Sequence, residues 1–103
     1  MKIIQKLTDK IEDEIKDGGC YAKMALEVRD RYPALAEVLN ALATDEFKHM
    51  NTLHEQVVKL IEDYRKEHGD PPPEMQARYD YLHERHIEAA KEAKLYQTMY
   101  RER

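Results

Sequence analysis

Apolar residues recur along this chain at helical spacing, and the few polar residues that fall in phase with them are the informative ones. The first segment carries Ile4, Leu7 and Ile11, then Tyr21, Ala25, Val28 and Tyr32, with Glu14 and Gly18 filling the two gaps in the heptad. Each glycine of Gly18-Gly19 costs roughly 1 kcal/mol in a helix interior. The register nevertheless continues across the pair, so the pattern predicts one helix from about Lys2 to Tyr32 with a soft spot, not two helices. Tyr32-Pro33 ends it, because the residue before a proline is pushed out of the α region, and Pro33 suits the first turn of the next helix. That second helix is predicted to run to about His68, stopped by Gly69 and the stiff connector Asp70-Pro71-Pro72-Pro73. A third is predicted from about Glu74 to Tyr100, with Met75, Tyr79, Leu82, His86, Ala89, Ala93, Tyr96 and Tyr100 facing inward. Short connections make sequential helices antiparallel. The expected fold class is therefore all-α, a three-helix up-down-up bundle forming one domain over residues 1–103.

The second helix has Leu39, Leu42, Leu53, Val57 and Leu60 in its apolar series, and filling the heptad puts Glu46 and His49 at two successive inward positions. Burying an unpaired carboxylate is expensive. Three residues apart on a helix, a Glu and a His can converge on one metal ion, the E-x-x-H spacing of carboxylate-bridged metal bundles. In a chain that is 37% charged such a spacing recurs by chance; the inward phase sets this one apart. A hairpin turning at Tyr32-Pro33 brings Glu14 within about one turn of His49, at a rise of ~1.5 Å per residue. Glu14, Glu46 and His49 are thus the candidate metal ligands. Asp17, one turn from Glu14, is a further candidate, as is Glu92, which the third helix brings to the same layer along with Tyr96. His83 and His86 fall roughly 10 Å further along the bundle. They are the remaining candidates, Asp80 and His83 repeating the acid-to-His spacing. A histidine on an apolar face, such as His86, reads first as a hydrogen-bonded core residue. His54 and His68 have no ligand spacing, and His68 suits the negative end of a helix dipole.

Charge and composition narrow the class. A net charge of −4 with both signs interspersed argues against nucleic-acid binding and against a basic membrane patch. No apolar run approaches the ~18 residues of a membrane span. The first residues are not followed by the apolar stretch of a secretory signal. Cys20 is the one cysteine, so no internal disulfide forms, and it is expected as a small buried hydrophobe in a reducing compartment. The expected location is cytoplasmic.

With Glu14, Tyr21 and Glu46-Phe47-Lys48-His49 in place, the first two helices resemble the leading half of a ferritin-like or rubrerythrin-like domain. There a mid-helix Glu is followed about thirty residues later by E-x-x-H. The whole chain also looks like small ferritin-like proteins of bacterial and prophage sequences. The resemblance is specific from Ile4 to Leu60. It implies a di-iron carboxylate type of site with Glu14, Glu46 and His49 as ligands. Tyr21 and Tyr96 would be nearby to hydrogen-bond a ligand carboxylate, and the activity would be ferroxidase-like. Iron is the first metal implied; oxygen and imidazole ligands suit Mn or Zn as well. Full family members have four helices and a second Glu plus E-x-x-H set, where this chain offers three helices and Asp80/His83. A twofold homodimer would present the three ligands twice, as half-ferritins of the encapsulated type do. The other resolution is a mononuclear site within one chain, completed by Asp17 or Glu92. From a different class comes a metal-free helical interaction module, in which the three residues form a buried hydrogen-bond cluster that fixes helix register. Phe47, Met50, Val57 and Ile61 form a second apolar stripe on the second helix, and a homodimer or larger even-numbered assembly is expected to cover it.

Overall fold

In the computed structural model, which describes residues 2–102, the chain forms three helices: α1 (Lys2–Val28), α2 (Pro33–His68) and α3 (Pro73–Arg101). No strand occurs among the described residues. Gly18-Gly19 lies within α1 without breaking it. The first boundary falls four residues earlier than the pattern predicts, because a turn over residues 29–31 precedes Pro33. Arg29 in that turn donates from Nη1 to the carbonyls of Met99 (2.6 Å) and Glu102 (3.0 Å), tying the start of the turn to the end of α3. Gly69 stops α2 with φ 77°, a left-handed conformation that glycine adopts without penalty, and its N–H closes on the Arg65 carbonyl at 2.9 Å. His68 sits in that last turn against the Tyr64 ring.

α1 is the helix that packs along both others, while the backbones of α2 and α3 come close at hardly any point. The core changes character along the bundle. Toward the α1–α2 turn it is built of Ala22, Ala43 and Ala93 around Phe47, flanked by Tyr21 and Tyr96. Toward the other end Ile11, Ile15 and Val57 carry it, with Ile4, Leu7, Met50, Leu53, Ile61 and Tyr79 packed around them. Gly18 lies between the two. A Cβ there would stand 3.0 Å from Phe47 Cε1 and 3.2 Å from Glu46 Cβ, so the absent side chain lets α1 approach α2 at the level of Glu46.

Several expectations fail on phase and burial. The buried face of α2 is Ala36, Leu39, Ala43, Phe47 and Val57, so the stripe expected to await a second copy belongs to this chain's own core, with Met50 and Ile61 packed against it. α1 covers one flank of α2 and α3 side chains reach the other, which turns the buried strip away from Leu42 and His49 and leaves Glu46 at its edge. The exposed apolar residues of the hairpin instead include Leu35, Val38 and Leu42 on α2 and Met24 on α1, besides Ile3, Tyr32 and Val58. Cys20 is exposed, its sulfur 4.0 Å from that of Met24, and not a buried hydrophobe. Where α2 and α3 do meet, buried Gln97 donates from Nε2 to Asn40 Oδ1 (3.1 Å) and Thr44 Oγ1 (3.0 Å). No helix among the described residues is long and apolar enough to cross a membrane.

Candidate metal centre

Glu14 enters the α1–α2 seam because it occupies a core position in the heptad of α1, and it is 8% exposed. Across the seam, Glu46 and His49 stand one turn apart on α2. His49 Nδ1 lies 3.4 Å from Glu14 Oε2 and 3.8 Å from Glu46 Oε2. Both distances are beyond good hydrogen-bonding range. One ligand atom from each of the three residues falls within 4.8 Å of the others, and this is the one such grouping of His, Cys, Asp and Glu among the described residues. The side chains are 11%, 20% and 59% exposed in the order Glu14, Glu46, His49. The carboxylates are thus largely withdrawn from water, whereas His49, expected inside, forms the solvent-facing wall.

Two carboxylates this close repel each other by about 3–4 kcal/mol at an effective dielectric of ~20. The chain offsets this in part with Lys10, whose Nζ is 3.5 Å from Glu14 Oε1 one turn away on α1. A divalent cation would offset it more fully, because it can be bonded to all three donors at once. Two oxygens and an imidazole nitrogen, clustered without hydrogen bonds among themselves, fit a first-row divalent metal.

The other candidates lie elsewhere. Asp17 is exposed and outside the cluster. Glu92 is exposed too, its carboxylate accepting from the Tyr96 hydroxyl at 3.3 Å in the groove between α1 and α3. The predicted height of Glu92 is right, since its neighbour Ala93 packs with Phe47, but α3 lies on the side of α1 away from the cluster. Tyr96 therefore serves Glu92 and not the cluster, and Tyr21 is half-buried against Ala22 and Phe47. Asp80 accepts from Gln76, and His83 and His86 face His54 across the seam between α2 and α3. Lys10 was legible as an i,i+4 partner of Glu14 but is absent from the predicted site.

A comparison with protein families adds one decisive match: the Rubrerythrin family model covers residues 6–103. The chain belongs to the rubrerythrin family. The match runs through all three helices, well past the hairpin where the sequence resemblance is specific. No curated protein matches it, and no solved structure does. Rubrerythrin membership points to iron held by carboxylates, and in this rubrerythrin-family chain the cluster of that chemistry is Glu14, Glu46 and His49.

Proposed function

We propose that this protein binds iron through Glu14, Glu46 and His49, and that two copies meet over the outer face of the α1–α2 hairpin so that the ligand set is presented twice. The observation that carries the reading is the cluster itself, two nearly buried carboxylates and an imidazole with their ligand atoms within 4.8 Å. The homodimer is supported by where the cluster lies. It sits on the hairpin side that α3 leaves open, and Leu35, Val38 and Leu42 lead up to it at i, i+3 and i+7 on α2, with Met24 across on α1. A second copy laid over those residues would give four carboxylates and two imidazoles, the set of a dinuclear carboxylate site.

Each side chain has a distinct task. Glu14, held by burial in α1, fixes the floor of the site. Glu46 is kept at short range by the close approach of α1 at Gly18. His49 would offer a ring nitrogen from the exposed wall, and Lys10 is the cation that a bound metal would replace beside Glu14. Iron bound there supplies a one-electron couple open to dioxygen, and Fe(II) oxidation is the activity that suits such a site; Mn or Zn would fit the same ligands without it. The competing reading, a metal-free cluster that fixes helix register, is favoured by one observation, the charge balance already provided by Lys10. Anaerobic Fe(II) titration followed by sedimentation separates the two. The proposal expects saturable binding at one ion per chain in a dimer, lost in Glu46→Ala. A chain that takes up no iron and whose melting temperature shifts in Glu46→Ala with no metal present supports the metal-free module.

A further inference from the structure

The seam between α2 and α3 is the weakest in the bundle, and at its middle three histidines meet. His54 of α2 and His83 of α3 stack with ring centroids 4.7 Å apart and planes 17° from parallel. Tyr79 continues the stack, 5.8 Å from His83. His86, one turn further along α3, lines the same cleft of about 340 Å³ together with Ile11, Met50 and Ala90. The Nε2 atoms of His54 and His86 are both shut off from solvent and have no hydrogen-bond partner. Elsewhere the two helices are joined by Ala43 and Phe47 packing on Ala93, by Gln97 with Asn40 and Thr44, and toward the other end by Tyr79 near Ile61 and by Arg65 Nη2 donating to Gln76 Oε1 at 2.8 Å. We propose that this histidine cluster is an acid-released latch, which holds α3 against α2 while its imidazoles are neutral and loosens that seam when they take up protons.

Two neutral rings stack favourably. Two imidazolium rings at the same spacing repel, with little water between them to screen the charge. The charged groups around the cluster do not cancel this. Glu55 beside His54 on α2, and Glu12 of α1 facing His86, favour protonation, but burial opposes it more strongly, helped by His83 and, at His86, by Arg85 and His54. Lys91 and Lys94 at the cleft wall add further positive charge. His54 and His86 are accordingly held below the ordinary value of 6.5, burial being the first cause for each. The unfolded or detached chain then binds more protons than the closed one as the pH falls. The latch's contribution is complete above about pH 6.5 and is lost as the pH drops from there through the lowered values.

Hydrogen exchange on the full chain at pH 7.5 and pH 5.5, corrected for intrinsic rates, tests this. α3 (residues 73–101) should lose protection about ten-fold or more relative to the hairpin on acidification. The double variant His54→Phe/His83→Phe should lose most of that change, keeping only the part due to His86, and His68→Gln, at the exposed end of α2, should behave as the wild type. An α3 ratio that does not change with pH in the wild type, or one that falls equally in the double variant, overturns the latch. Should the double variant not fold, nuclear magnetic resonance titration of the wild-type imidazoles decides. Midpoints for His54 and His86 below 6.5 that track the loosening of α3 support the latch, and midpoints at or above 6.5 overturn it.

Discussion

His49 Nδ1 on α2 lies 3.4 Å from Glu14 Oε2 on α1, although thirty-four positions separate them in sequence and the imidazole side chain is 59% exposed. The contact joins a buried acid to an exposed base at the one place where Gly18 lets the two helices close up. Its length is too great for a good hydrogen bond, so the two atoms do not satisfy each other. The Lys10 ammonium, 3.5 Å from the other oxygen of Glu14, is the nearest cation.

Lys10 should therefore compete with the metal. Lys10→Met removes the ammonium and keeps most of the aliphatic stem. Divalent-metal affinity, measured by anaerobic titration, should rise several-fold, in keeping with about 1 kcal/mol for a partly exposed ion pair. An unchanged or weaker affinity would show that Lys10 does not share the site.

The two adjacent glycines should respond in opposite directions to alanine. Gly19→Ala adds a methyl 3.8 Å from Ala93 Cβ, an ordinary contact, and should gain roughly 0.5–1 kcal/mol of helix propensity. Gly18→Ala has the same gain but must push back the Phe47 ring and Glu46 Cβ from 3.0 and 3.2 Å. Overpacking of this kind costs about 1–3 kcal/mol, so its melting temperature should fall by several degrees and its metal affinity with it. Equal shifts in the two variants would remove the close approach as an explanation.

The sequence made the helices and the ligand cluster legible for the same reason: both are written in heptad phase. Glu14 stands where Ile or Leu would otherwise be, and the short Tyr32-Pro33 turn sets the level at which it meets Glu46 and His49. What the phase could not reveal was which side of α2 would be covered. That depends on where α3 lies, and the connector from Gly69 to Pro72 does not encode it. α3 settled along α1, so the stripe with Phe47 and Val57 became core, and Leu35, Val38 and Leu42 remained outside. The same placement separated Glu92 and Tyr96 from the cluster despite their correct height. Residues with two roles at once, such as His54 and His83 across a thin seam, leave no periodic trace.

The proposed assembly through the hairpin face is open to a single substitution. Val38 is 56% exposed and outside the core, so Val38→Glu should leave the monomer's helicity and melting cooperativity intact while placing like charges across a twofold contact. Sedimentation at tens of micromolar should move from dimer to monomer, and iron uptake should drop with it. A variant that remains a dimer would put the interface elsewhere, for instance on the exposed Leu95 and Met99 of α3.

Whether Glu14, Glu46 and His49 hold iron, as proposed, is decided by anomalous diffraction at the iron edge on crystals grown anaerobically with Fe(II). An anomalous peak is expected about 2.0–2.3 Å from an oxygen of Glu14, an oxygen of Glu46 and a nitrogen of His49, with a second peak related by a twofold axis close by. A peak-free cluster at full Fe(II) loading, with Lys10 still against Glu14, would contradict the proposal, as would iron found only among His54, His83 and His86.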